Sequence, residues 1–190
     1  ATAAAGLDFR RVVRELSALT DGAVCVEPGS ADAKGMYKEA RELAKLGKDI
    51  VIRLPIEPAG MRVARLLAED QVAICASDCY SAAQALLAAK ANVSYVAPAV
   101  GPLDAMGSIG MDLVEQIIRI YDNYGFQSQI LVSNVQNAVH VLDAALHVER
   151  LLGKGIELAR EHPLERRDRV LELDVLARNA GELLGDMERL

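Results

Sequence analysis

Asp49-Ile50-Val51-Ile52-Arg53-Leu54-Pro55 is a short, β-branched run followed at once by Glu57-Pro58, and this stretch decides how the chain is read. A near-continuous apolar run of this length is the pattern of a strand buried on both faces of a parallel sheet. Pro58 suits the first turn of a helix, where its missing N–H costs nothing, and Met61, Ala64 and Leu67 then recur at helical spacing. The unit is therefore strand, tight turn, helix. Outward from it the same alternation returns on both sides. Before it, Ala23-Val24-Cys25-Val26-Glu27 is β-prone, and Ser30-Ala31-Asp32 opens a helix ending near Leu46-Gly47. After it, Val72 to Ser77 leads to Ser81 and an alanine-rich helix ending at Asn92. Val93 to Pro98 leads through a Gly101 to Gly110 loop into a helix closed by Gly125, and Gln129 to Asn134 leads into a helix through Leu146. Asp8 caps a leading helix carrying Val12, Val13, Leu16 and Leu19. About five β/α units predict a parallel sheet with helical crossovers.

The composition narrows the function classes. With 21 Lys and Arg against 27 Asp and Glu the net charge is −6, and aromatic residues are 4% with no Trp. An acidic chain with few stacking platforms lacks the footprint of a nucleic-acid binder. No uncharged apolar run reaches the ~18 residues of a membrane helix, and the first residues lack a secretion signal. Hydrophobic residues at 52% and a mean hydropathy of +0.15 describe a folded protein with a real core. Three cysteines, Cys25, Cys75 and Cys79, make a disulfide framework improbable and predict free thiols in a reducing cytoplasm.

From about His147 the β-branched runs stop. Val170, Leu173, Leu176, Ala180, Leu183, Leu184, Met187 and Leu190 mark one face of an amphipathic helix, with a strand over 171–175 as the alternative. The chain is thus expected to divide into a (β/α) portion over 1–146 and a helical C-terminal extension over 147–190, packed on the first portion or on a neighbouring subunit.

Several segments together resemble the small transaldolase and fructose-6-phosphate aldolase family. They are Glu42-Leu43-Ala44-Lys45-Leu46 with the strand to Pro55, Ser81 to Ala89, Tyr95-Val96-Ala97-Pro98-Ala99-Val100-Gly101-Pro102-Leu103-Asp104, Tyr121-Asp122-Asn123-Tyr124-Gly125-Phe126 and His140 to Leu146. The resemblance runs in one register from about Gly6 to Leu146. It implies a TIM barrel of carbohydrate and pentose phosphate metabolism whose members form a Schiff base between a strand lysine and a ketose phosphate carbonyl. The implied lysine position is Arg53. A guanidinium stays protonated and cannot supply the free amine. Lys48 lies at the wrong end of its strand, and Lys34, Lys38, Lys45, Lys90 and Lys154 fall on helices.

The resemblance also implies an arginine at Pro102 and a Ser and Arg pair at Asn134 and Gln136 as phosphate contacts. Proline offers neither charge nor N–H, so affinity for sugar phosphates should be weak. Ser77 matches a threonine that positions water, and Glu27 a glutamate or glutamine of the preceding strand. Strand parity puts Cys25 with Glu27, Val51 with Arg53 and Cys75 with Ser77, so a bidentate Arg53–Glu27 pair is expected.

Relative to the family, strands one, two and eight have no counterpart between Ala1 and Leu190. The expected fold is an incomplete, TIM-barrel-derived (β/α) barrel of about five parallel strands, which cannot close alone. A homo-oligomer, or a partner chain completing the barrel, is expected to cover the open face. The functional expectation is a transaldolase-like protein without Schiff-base chemistry, serving binding, assembly or regulation, with a small carbonyl or sugar ligand. The alternative is an enzyme with altered chemistry, using Arg53 as electrophile or carboxylate clamp and Glu27 or Asp78 as base. Asp78 otherwise reads as the cap of the following helix. No metal or other cofactor is expected: His140 and His147, seven apart, read as ordinary surface or interface residues, and the Gly101 to Gly110 segment as a flexible loop.

Overall fold

The computed structural model describes residues 8–20 and 22–147. Its elements run α1 (Phe9–Leu19), β1 (Val24–Val26), α2 (Ala33–Ala44), β2 (Ile50–Pro55), α3 (Pro58–Glu69), β3 (Ile74–Cys79), α4 (Ala82–Lys90), β4 (Tyr95–Pro98), α5 (Val100–Ala105), α6 (Gly110–Tyr124) and β5 (Gln129–Ile130), then α7 over 138–147. The described residues form two compact units, one of residues 8–98 with 116–131, the other of residues 99–115 with 132–147. The expected C-terminal extension lies outside the described residues beyond 147.

The first unit is an α/β fold with five parallel strands in the order β1-β2-β3-β4-β5, as expected of a partial TIM barrel. Register follows from pairs such as Cys25↔Val51, Arg53↔Cys75 and Tyr95↔Gln129. One face of the sheet carries Ile50, Ile52, Leu54, Ile74, Ala76 and Val96, all at most 5% exposed. Against it lie Met36, Ala40 and Leu43 of α2, Val63, Ala64 and Leu67 of α3, and Ala85, Ala88 and Ala89 of α4. Each fully buried aliphatic side chain there contributes about 1.5–3 kcal/mol. The opposite, inner face holds Val51, Cys75 and Ala97, packed with Ala73, Tyr95 and Leu131.

Local signals place the helices. Asp32 caps α2 by accepting from the N–H groups of Lys34 and Gly35, Pro58 opens α3, and Ser81 caps α4 by accepting from Gln84 N–H at 3.3 Å. Gly60 sits where the first turn of α3 meets the end of β2, and a Cβ there would collide with the Pro55 carbonyl oxygen.

Three expectations differ from what is observed. β3 begins later than Val72, whose N–H is still held by the Leu67 carbonyl at the end of α3, and extends to Cys79 across a register shift against β4 between Ala76 and Cys79. β5 is shorter than expected. The segment after Val100 contains helix α5 in place of a flexible loop, and the second unit adds one parallel bridge, Ala99↔Ser133. There Gly101 donates its N–H to the Asn134 carbonyl at 3.2 Å, an approach so close that a Cβ would lie 2.5 Å from that oxygen.

Candidate functional site

In the first unit the inner-face residues gather as strand parity requires. Arg53 projects from β2 with its Nε 3.9 Å from Glu27 Oε2, just beyond β1, and its Nη2 3.8 Å from Asp78 Oδ1 on β3. Both separations exceed hydrogen-bond range, so the expected bidentate Arg53–Glu27 pair gives way to a looser arrangement in which one guanidinium stands between two carboxylates. Arg53 Nε is itself buried and makes no hydrogen bond. The three side chains are 41%, 59% and 48% exposed, so solvent screens much of their attraction.

Ser77 is fully buried. Its hydroxyl has the Leu54 carbonyl at 3.3 Å and Asp78 Oδ2 at 3.0 Å as acceptors, and its single proton favours the shorter, charged one. Asp78 does not cap α4, a role Ser81 fills. It takes a left-handed backbone, φ 57°, at the register shift, and this turns its carboxylate toward Arg53 and Ser77. The sequence placed Arg53, Glu27 and Ser77 on one face. Asp78 reads from the sequence only as an alternative base or a helix cap; strand parity did not place it on this face, because the register shift that aims it is a property of strand pairing.

The same face carries two thiols. Cys75 is buried and Cys25 is exposed. Hydrogen bonding with Cys75 is the main cause holding the Cys25 thiol down to about 7, with burial opposing it and Arg53 adding a smaller attraction. Cys75 is pushed upward, by the same bond and by burial.

The second unit holds the positions that the resemblance assigns to phosphate. Pro102 lies in α5 and is half-buried, while Asn134 and Gln136 are exposed. The notable group there is His140, expected at the surface or an interface and found 6% exposed within the chain itself. Its Nδ1 accepts the Gln136 N–H at 3.3 Å, so the ring proton is assigned to Nε2, which donates to Asp104 Oδ2 at 2.6 Å. Asp104 Oδ1 accepts the Gly110 N–H at 2.7 Å, and Asn137 Oδ1 accepts the His140 N–H at 2.9 Å. The Gln136 backbone is thereby engaged in positioning His140. Among the described residues no group of three or more His, Cys, Asp and Glu is arranged to hold a metal ion, and no helix is long and apolar enough to cross a membrane.

Parallel strands alternating with helices, with charged groups gathered on the inner sheet face, define an α/β protein of the barrel type. The sequence profile of the Transaldolase/Fructose-6-phosphate aldolase family matches residues 2–153, and the chain belongs to that family. Relatives named "Probable transaldolase" include one from Jannaschia sp. (strain CCS1), 45% identical over 141 residues, covering 74% of this chain and 65% of the relative. Another, from Anaeromyxobacter sp. (strain Fw109-5), is 42% identical over 162 residues, covering 84% and 75%. A third, from Geobacter sulfurreducens, is 44% identical over 144 residues, covering 76% and 67%. The chain thus spans about two thirds to three quarters of the length of these relatives.

Proposed function

We propose that this transaldolase-family chain does not carry out Schiff-base transfer and acts instead through binding, assembly or regulation, with a small carbonyl or sugar compound as ligand. The observation that carries this reading is Arg53 on β2, at the position the resemblance assigns to the lysine, with a carboxylate on either side at 3.9 and 3.8 Å. A guanidinium stays protonated and delocalised, so no nucleophilic nitrogen is available at this position. Pro102, Asn134 and Gln136 support the same reading, since none carries the positive charge that a phosphate group favours. The test is borohydride treatment in the presence of fructose 6-phosphate or dihydroxyacetone. The intact mass should stay unchanged; reduction onto any lysine overturns the proposal.

A second reading, an enzyme with altered chemistry, draws on the Ser77–Asp78 hydrogen bond beside Arg53. It expects turnover of a sugar or keto-acid substrate that Arg53→Ala abolishes without loss of folding. For partners we propose a homo-oligomer or a chain that completes the barrel. The support is a sheet whose strands β1 and β5 are edges among the described residues, together with Val139, Leu142 and Leu146 exposed on α7. Solution mass at several concentrations checks this. Three free thiols suit a cytoplasmic setting.

A further inference from the structure

His140 has no part in the reading above, yet both of its ring nitrogens are committed. Nδ1 faces the Gln136 backbone N–H at 3.3 Å, and because a backbone N–H can only donate, Nδ1 carries no proton. Nε2 donates to Asp104 Oδ2 at 2.6 Å, and the imidazole is 8% exposed. The structure therefore holds the neutral ring in one tautomer. A second proton has one place to go, Nδ1, where it would meet the Gln136 N–H donor to donor. The segment that this bond fastens is short, and Asn134, Gln136 and Asn137 are exposed. Asn134 takes a left-handed backbone, φ 57°, uncommon for a residue with a Cβ. The Val100 N–H donates to the Ser133 carbonyl at 3.1 Å and the Gly101 N–H to the Asn134 carbonyl at 3.2 Å, and neither acceptor titrates. The Gln136 bond differs from those two, since a proton turns its acceptor into a donor. The Gln136 side chain lies against Gly101, where an added Cβ would be 2.7 Å from its Cδ, so the His140 bond holds Gln136 over the start of α5.

We propose that His140 is an acid-operated latch: a proton taken from solvent at Nδ1 breaks the bond to the Gln136 N–H, turns the Asp104 hydrogen bond into an ion pair, and releases the 134–137 segment from the start of α5. The groups around the ring fit both states. From α5 the carboxylate of Asp104 faces it, and the start of α6 supplies the Gly110 N–H that holds the other oxygen of that carboxylate, with Asp112 exposed in the same turn. The 134–137 segment contributes neutral side chains, and on α7 itself Asp143 and His147 follow three and seven residues on. A charge on a ring this buried is costly without a counter-ion, and Asp104 at 2.6 Å is that counter-ion. Release also frees Asn134 from its left-handed backbone. Deprotonation of Nδ1 reverses the change, and no other covalent bond is made or broken. Asn134 and Gln136 stand where the resemblance puts ligand contacts, so the latch sets with pH whether those two side chains are presented together. None of this depends on whether a lysine forms a Schiff base.

The test is NMR of the full, 15N-labelled chain from about pH 8 to about pH 5, the range in which histidines change charge. At the upper end the ring spectrum should show a proton on Nε2 and none on Nδ1. As pH falls, the Gln136 amide proton should move upfield with the same midpoint as the His140 ring. Its exchange protection, corrected for the intrinsic effect of pH, should drop about tenfold, roughly the worth of one hydrogen bond. The Val100 and Gly101 amides, whose acceptors are carbonyls, should keep theirs. In His140→Gln the Gln136 amide should no longer titrate. A proton on Nδ1 at pH 8, a ring that stays neutral down to pH 5, or a Gln136 amide that does not follow the ring overturns the proposal. So does equal loss of protection at Val100, Gly101 and Gln136, which marks general loosening in acid. These outcomes are read on the unaltered chain and do not depend on a variant folding. A borohydride-fixed lysine adduct leaves them unchanged, so the loss of Schiff-base chemistry and the latch stand or fall separately.

Discussion

His140 Nε2 lies 2.6 Å from Asp104 Oδ2, and the other oxygen of the same carboxylate accepts the Gly110 N–H, so one side chain ties a helix start to a buried imidazole. The Gly110 bond first, and then the His140 hydrogen bond, hold the Asp104 carboxyl below the usual carboxylate range against an opposing effect of desolvation. A carboxyl whose folded value is depressed contributes stability that is present above its unfolded pKa, ~3.9, and is lost as pH falls through the folded value. Thermal melts from pH 7 downward should show a loss below pH ~4 that is shallower in Asp104→Asn, whose side chain does not titrate there. At pH 7 the variant should melt lower than wild type. Identical acid limbs for the two proteins contradict this.

Arg53→Met tests how tightly the guanidinium is bound to its neighbours. With both carboxylates beyond hydrogen-bond distance and all three side chains about half exposed, the substitution should cost no more than about 1 kcal/mol in urea unfolding. A loss of 3 kcal/mol or more, roughly the effect of breaking a buried pair, means that the cluster is desolvated in solution.

Helix starts were legible in the sequence because capping is local. Asp8, Asp32, Pro58 and Ser81 each act within three residues of their own position. Strand parity likewise brought Glu27, Arg53 and Ser77 to one face, since period two survives wherever pairing is regular. It failed at Asp78, where the register shift between Ala76 and Cys79 breaks the period. His140 was misread for a related reason. Its partners, the Asp104 carboxylate and the Gln136 N–H, come from segments whose approach is fixed by tertiary structure, and a histidine on an amphipathic helix carries no local mark of burial.

Gly60→Ala should be among the more damaging single-methyl additions. The new Cβ would meet the Pro55 carbonyl oxygen, a backbone atom that cannot rotate aside, at the junction where α3 packs onto β2. Overpacking of this kind costs about 1–3 kcal/mol, more than the helix propensity of alanine returns. Gly125→Ala is the contrasting control. No atom lies within 4 Å of its added Cβ, so its cost comes from the left-handed backbone, φ 67°, alone. Urea unfolding of the two variants separates a clash from a conformational penalty, and Gly60→Ala without loss of stability contradicts the packing account.

Asp78 offers the same separation at the site itself. Asp78→Ala and Asp78→Gly both remove the carboxylate that faces Arg53 and accepts from Ser77, so their losses of ion pairing and hydrogen bonding are equal. They differ in the backbone. At φ 57° a Cβ is disfavoured, and glycine is not. Left-handed conformation costs a residue with a Cβ roughly 1–2 kcal/mol, part of which glycine returns through its greater freedom in the unfolded chain. The glycine variant should therefore be the more stable of the two by about 1 kcal/mol, read from urea midpoints at equal m-values. If the two unfold together, Asp78 is free to leave the left-handed region, and the carboxylate is not held toward Arg53 by the backbone.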